Sequence, residues 1–381
     1  MMSPPLPPGV VILQVLPALE TGGVERGTLE MTAAIVAAGG RALVASRGGR
    51  GVTAIERAGG RHIALPLTKK SPLALWRNAA RLAALIRAER VSVVHARSRA
   101  PAWSAWLACR RTGAHFVTTY HGAYGEDFPL KRLYNSVMAR GERVVAISDF
   151  IARRIIARHH ADPARIRVIH RGVDPVLFDP AAVAPARLAR LAAAWGLGAG
   201  RRVIMLPARL TAWKGHAVLI AALARLARPD TVAVFVGGDA RGRLAGALRA
   251  KAAEAGVAGQ VVFAGDCADM PAALLLADVV VSASTRPEAF GRVVIEAQAM
   301  ARPVIATDHG GAVETIFPGE TGWRVPPGDA GALAGALAGA LDLDAAARAA
   351  LGARARAAIL ARFTTRAMQD ATLALYAELL A

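Results

Sequence analysis

Two glutamates, Glu288 and Glu296, stand in the stretch T-R-P-E-A-F-G-R-V-V-I-E-A-Q-A-M at residues 285–300. On one continuous helix they would lie roughly 12 Å apart along the axis. That exceeds the roughly 5–9.5 Å used by a carboxylate pair working across one glycosidic bond. With Glu288 in a turn and Glu296 one to two turns into a helix, the two instead grip separate parts of one elongated ligand. Glu288 then takes sugar hydroxyls, Glu296 takes a ribose diol, and a diphosphate sits between them at the helix start. The amides of Phe290, Gly291 and Arg292 lead into that helix, which opens at Val293, and Gly291 allows close approach of backbone to an anion. A surface helix carrying two unrelated glutamates has the same spacing.

Other residue types extend this chemistry. Arg209 and Lys214, in P-A-R-L-T-A-W-K-G-H, fall in one strand-to-helix loop, where two cations can neutralise a diphosphate leaving group. His121 follows the apolar run H-F-V-T-T-Y and opens the glycine-bearing loop H-G-A-Y-G-E. Gly22 and Gly23 make a flexible loop at a strand end, suited to phosphate or sugar or to a plain turn. Among the other histidines, His62, His95 and His115 read as packing or strand residues, and His159 and His160 as solvated. The run Gly125-Glu126-Asp127 can hold a sugar hydroxyl or cap the following helix.

The elements that must carry these residues alternate. Apolar, β-branched strands are expected at 10–16, 42–46, 62–66, 91–96, 115–120, 143–147 and 167–170. They continue at 202–208, 231–238, 260–264, 278–283 and 303–307. Amphipathic helices fill most gaps, among them 24–38, 73–89, 102–111, 150–159 and 293–300. This βα rhythm predicts an α/β chain with parallel, doubly wound sheets, and 381 residues are enough for two cores. Ligands are then expected at the carboxyl ends of the strands. The proline-rich stretch at 180–185 marks the hinge.

Four motifs occur in order: T-G-G-V-E at 21–25, Arg209 with Lys214, the strand end Gly237-Gly238-Asp239, and E-A-F-G-R-V-V-I-E-A. Together they resemble the family-4 retaining glycosyltransferases of GT-B fold, over residues 10–363. The resemblance implies two Rossmann-like domains facing across a cleft. Residues 1–182 would be the acceptor-side domain, with a C-terminal helix at 363–381 packing back on it, and 183–362 the nucleotide-sugar domain. It places His121 beside the transferred sugar, Arg209 and Lys214 on the diphosphate, and Gly22, Gly23 and Gly237 along the donor. Asp266 is expected near the donor base, and Asp308 to Gly311 on the far wall. Glu25, Tyr124, Lys131 and Arg132 are expected on the acceptor side. His170 to Asp174 resembles the family's N-G-V-D turn, with His-Arg replacing the residue before Gly172. The implied reaction moves a hexose from a nucleoside-diphosphate sugar to a glycan or lipid-linked acceptor, as in lipopolysaccharide or cell-envelope polysaccharide synthesis. No cofactor and no metal are expected, the two cations and the helix start replacing a divalent ion.

Composition narrows the alternatives. A hydrophobic share of 54% with 20% charged residues marks a globular chain. Cys109 and Cys267 have no partner spacing, which points to a reducing cytoplasm, and the start M-M-S-P-P-L-P-P lacks a signal-peptide pattern. There is no G-x-G-x-x-G after the first strand, which argues against hydride transfer. Net charge is +19, and residues 1–180 carry 26 Lys+Arg against 12 Asp+Glu, leaving 21 against 16 in the remainder. A basic first half suggests an anionic acceptor or peripheral contact with an anionic membrane, through helices at 73–90 and 150–160. A nucleic-acid binder is the alternative of another class, yet 5% scattered aromatics do not make a stacking groove. A sugar-nucleotide epimerase or a phosphorylase of the same fold remains as a chemical alternative, although a phosphorylase's cofactor lysine has no counterpart in that context.

Overall fold

The computed structural model describes residues 5–20, 22–239, 242 and 244–381, so Thr21 of the first motif lies outside the described residues. The chain divides into two compact units, one running to His170 and taking in Thr365–Ala381, the other Arg171–Thr364.

In the first unit the strands are β1 (Val11–Val15), β2 (Arg41–Ser46), β3 (Arg61–Ala64), β4 (Val93–Ala96), β5 (His115–Tyr120), β6 (Arg143–Ala146) and β7 (Ile166–Val168). They form a parallel sheet in the order β3-β2-β1-β4-β5-β6-β7. Both faces are covered by helices, so β1 and β4 are buried throughout, which is why they read as continuous apolar runs. Ile12, Val93, Val117 and Val145 pack under Met31 and Ile35 of the helix Gly23–Ala37. Met368, Leu373, Leu375 and Tyr376 of the last helix, Thr365–Leu380, complete the same core.

The second unit carries β8 (Arg202–Pro207), β9 (Thr231–Val236), β10 (Val261–Gly265), β11 (Val279–Ser282), β12 (Val304–Thr307) and β13 (Trp323–Val325), ordered β10-β9-β8-β11-β12-β13. These pairings are parallel too. Leu219, Ile220 and Leu223 of the helix His216–Leu226 join Leu333, Leu337 and Leu341 of the helix Ala330–Leu341 over Ile204, Phe235 and Val281. Residues 171–182 pack with this unit, so the division falls before the proline-rich stretch. Val173 N–H donates to Phe363 O at 2.8 Å, and the Arg356 guanidinium donates to Phe178 O at 2.7 Å.

The helices Val52–Arg57 and Pro129–Asn135 are each under two full turns, too short for periodicity to show a face. In the first core, His95 bridges Tyr376 Oη and Thr119 Oγ1, both at 2.6 Å, with its ring buried. Tyr376→Phe would remove the hydrogen bond between Tyr376 Oη and His95 Nδ1. We expect a loss of about 1–3 kcal/mol, read as a lower denaturant midpoint at unchanged slope, and an unchanged midpoint would show that the bond contributes nothing.

Candidate functional site in the second unit and its counterpart in the first

The strand order of the second unit reverses direction between β8 and β11. At such a switch point the loops leaving the two strands diverge and open a crevice at their carboxyl ends. The β8 loop carries Arg209 and Lys214, and the β11 loop carries Glu288. The two loops are pressed together. A Cβ on Gly215 would lie 1.8 Å from Ala283 O, and Gly215 has φ +79°, so only glycine turns this corner. Thr285 N–H donates to Trp213 O at 2.7 Å across the same seam.

The consequence is a direct pairing of two of the predicted residues. Lys214 Nζ donates to Glu288 Oε1 at 2.7 Å, with both side chains less than a fifth exposed. Ser284 Oγ donates to the same carboxylate oxygen. Lys214 also lies over the Trp213 ring, 4.4 Å from its centroid. The Ser284 carbonyl is held in turn by Thr307 Oγ1 at 3.0 Å and by His309 Nε2 at 2.8 Å. Because a carbonyl only accepts, the His309 proton is on Nε2. Behind Glu288, Gly311 N–H donates to its carbonyl at 2.8 Å, and a Cβ on Gly310 would meet the same carbonyl at 2.4 Å. The turn around Glu288 is thus clamped from both sides. Arg209 is exposed at the end of β8, with no hydrogen-bond or ion-pair partner among the described residues.

The helix after this turn is Arg292–Ala299, with Gly291 at its N-cap in the left-handed region at φ +84°. The first amides of a helix have no partner within it, so Gly291, Arg292 and Val293 form the positive end of the helix beside Glu288. The Phe290 side chain is turned inward against Phe363, so only its backbone faces this end. Glu296 is buried on the helix, 3.8 Å from the Arg292 guanidinium. Arg292 in turn donates to Gly172 O at 3.1 Å and ties residues 171–182 to the site helix. At the next strand ends, Leu210 N–H donates to Gly238 O, Gly237 N–H donates to Gly265 O, and Gly238 N–H donates to Asp266 at 2.8 Å. Asp266 is exposed, and Asp239 caps the helix Leu244–Glu254 by accepting from Leu244 N–H at 2.8 Å.

In the first unit, Gly22 and Gly23 are exposed at the start of the helix Gly23–Ala37. The Glu25 carboxylate folds back over Gly22, where a Cβ would meet it at 2.6 Å, so an acidic group of the chain itself faces that helix start. His121 is half-buried at the carboxyl end of β5. Tyr124 turns inward, its ring 4.6 Å from Tyr120 and under the Arg99 guanidinium at 4.2 Å, and burial raises its hydroxyl pKa. Lys131 pairs with Asp127 at 2.6 Å, and Arg132 is exposed and donates to His160 Nε2 at 3.2 Å. Glu126 and Asp127 do not cap the helix Pro129–Asn135, whose cap is Phe128. His159 is not solvated: its side chain is 2% exposed and lies 3.1 Å from Glu126.

The family model described as Glycosyltransferase Family 4 matches residues 21–177, and that of Glycosyl transferases group 1 matches residues 190–358. A glycosyltransferase from Rickettsia africae ESF-5 is 36% identical with a TM-score of 0.90, covering 97% of this chain and 98% of that one. The chain belongs to this glycosyltransferase family. Its two parallel-sheet units are those of the GT-B fold. A D-inositol 3-phosphate glycosyltransferase of Mycobacterium tuberculosis (strain ATCC 25618 / H37Rv) is 31% identical over 315 residues, 77% of this chain; the chain spans 64% of that relative's length. Anabaena HepE, solved in complex with UDP and glucose, has a TM-score of 0.86 at 24% identity, covering 97% of this chain and 100% of that one, which shows the fold alone.

Sequence patterns overlooked Ser284 as a partner of Glu288, while His309, expected on the far wall of the site, holds the Ser284 carbonyl. The available signal was a hydroxyl at the strand end four residues before the glutamate. His216, two residues after Lys214, is buried edge-on to Phe235 at 5.0 Å. Burial pushes its imidazole down to about 4, the nearby Lys214 charge acts in the same direction, and the Ala208 main chain opposes them. The folded value lies below the unfolded 6.5, so the unfolded chain binds the extra proton. The stabilisation is therefore complete above pH 6.5 and is lost as pH falls toward 4, by on the order of 3 kcal/mol. Unfolding titrations should show this component between pH 6.5 and 4 and its absence in His216→Gln; parallel curves for the two proteins would refute it.

Proposed function

We propose that this chain is a retaining hexosyltransferase that moves a sugar from a nucleoside diphosphate to a hydroxyl of an anionic glycan or lipid-linked acceptor, in lipopolysaccharide or cell-envelope polysaccharide synthesis. The observation that carries this reading is the Lys214–Glu288 pair at the switch point of the second sheet, with the helix N-terminus at Gly291 beside it. A nucleotide-sugar has a diphosphate for the cation and the helix start, and a hydroxylated ring for the carboxylate. Lys214 and Arg209 take the diphosphate, the Gly291 and Val293 amides its remaining oxygens, Glu288 the sugar hydroxyls and Glu296 the ribose diol. Gly237 and Asp266 serve the nucleoside side. On the first unit, His121, Glu25, Tyr124, Lys131 and Arg132 handle the acceptor.

The reaction follows from these roles. The acceptor oxygen bonds to the anomeric carbon on the face from which the diphosphate departs, and the bond from that carbon to the phosphate oxygen breaks. The acceptor's proton passes to a departing phosphate oxygen. Charge stabilisation by Lys214, Arg209 and the helix amides lowers the barrier without a divalent ion. Before donor binding the Lys214 charge is held by Glu288, so the ligand enters by sharing both partners.

Peripheral contact with an anionic membrane, at the cytoplasmic face, completes the proposal. Leu73 and Trp76 are each 56% exposed at the start of the helix Pro72–Glu89, which also bears Arg77 and Arg81. No single helix among the described residues is long and apolar enough to cross a membrane.

Lys214→Ala and Arg209→Ala should each lower turnover by on the order of 10²–10³, with the product anomer retained in the wild type. Near-normal turnover in both variants, or an inverted product, would defeat the assignment. Activity should also survive excess EDTA, and its loss with recovery on adding Mg²⁺ or Mn²⁺ would show that an ion is needed.

A further inference from the structure

The first unit holds a cavity of about 570 Å³ that the donor chemistry does not use. Glu126, Phe128, Arg132, Leu133, Arg140 and Arg158 line it, between the helix Pro129–Asn135 and the end of the helix Asp149–His159. Its size lies within the range of small-molecule sites and suits one or two sugar rings.

Glu126 is the unusual part of this cavity. Its side chain is 3% exposed and held from one side: Oε1 lies 3.1 Å from His159 Nε2 and accepts from Asn135 Nδ2 at 3.3 Å. Asn135 is itself fixed by Arg99, which donates to its Oδ1 at 2.9 Å. Oε2 is buried and has no donor among the described residues. A buried acceptor without a donor costs about 1–3 kcal/mol, and more when charged. A ligand hydroxyl would remove that cost.

The walls point to an anion. Arg140 is stacked on Trp103 and Trp106, 4.9 and 4.8 Å from the ring centroids, which holds its guanidinium in one place. Arg132 and Arg158 are exposed beside it. The Asp127 charge is taken by Lys131, so three guanidiniums face the groove against one carboxylate. Forked guanidiniums match phosphate oxygens in pairs. Phe128 and Leu133 supply apolar surface for a ring face. His121 stands five residues before Glu126 on the same loop, so the two are separated by no more than roughly 17 Å of chain.

We propose that this groove is a subsite for a phosphorylated sugar of the acceptor. The phosphate lies against Arg132, Arg140 and Arg158, a ring hydroxyl donates to Glu126 Oε2, and the hydroxyl to be glycosylated lies one to three sugar units away, toward His121. This assignment deepens the glycosyltransferase reading and rests on it.

The test titrates the full chain with glucose 6-phosphate, glucose 1-phosphate, glucose and inorganic phosphate by calorimetry. A thermal-shift panel of UDP-, GDP- and ADP-sugars reads the donor site separately. We expect at least one sugar phosphate to bind tenfold or more tightly than glucose or phosphate alone. Arg132→Ala/Arg158→Ala should weaken it at least tenfold, and so should Glu126→Ala in a chain whose melting temperature is unchanged. Equal affinity for inorganic phosphate and sugar phosphate would reduce the groove to an unselective anion surface and overturn the proposal. So would undiminished binding in the double variant, or capture of phosphatidylglycerol vesicles with no uptake of soluble sugar phosphate. Sugar-phosphate binding without any nucleotide-sugar shift would leave the subsite standing and remove the donor assignment; a donor shift without sugar-phosphate binding would do the reverse.

Discussion

One ion pair organises the second unit's crevice: Lys214 and Glu288, joined at 2.7 Å across the ends of β8 and β11. Neighbouring parallel strands on either side of a switch point send their chains to opposite faces, so their loops ordinarily part. Here they are brought together again by backbone contact at Gly215 and Ala283 and by the Thr285 hydrogen bond to Trp213. The first contact needs a residue without a side chain at position 215, in a left-handed turn. The pair is only partly shielded, and its value lies less in stability than in placement. It keeps an ammonium and a carboxylate at a fixed separation beside a helix N-terminus, with Ser284 Oγ donating to the carboxylate and Thr307 and His309 holding the Ser284 carbonyl.

The same backbone logic explains why the flanking glycines sit where they do. Gly310 and Gly311 let the loop after β12 lie flat against Glu288, Ala289 and Phe290. The turn then has walls on two sides and an open face at the helix start. Phe290 anchors the turn to Phe363 in the core, and Arg292 anchors it to Gly172. A site made of loops is in this way given the rigidity of the sheet beneath it.

The first unit uses a different device. Its loop after β5 is not clamped by close backbone contact but by buried polar and aromatic groups: Tyr124 between Tyr120 and Arg99, and Glu126 between His159 and Asn135. Arg154 donates to Tyr124 O at 2.9 Å and adds a further tie. The second unit's crevice relies on glycines and a single ion pair, whereas this loop relies on contacts between buried side chains.

By itself the sequence determined the parallel α/β architecture. Strands buried on both faces must be apolar at consecutive positions, and the helices between them must show one apolar stripe, so both periods are written locally. It also placed Arg209, Lys214 and Glu288 at strand ends, because glycine and proline mark where the strands stop. Only the tertiary structure decided which of these residues meet. Lys214 and Glu288 are 74 positions apart, and Tyr376 reaches His95 across 281 positions. His159 illustrates the limit: beside a second histidine at a helix end it reads as solvated, yet a loop 33 residues earlier covers it with Glu126. Local pattern reports which face of an element is apolar, and carries no information about which distant polar group will be folded against it.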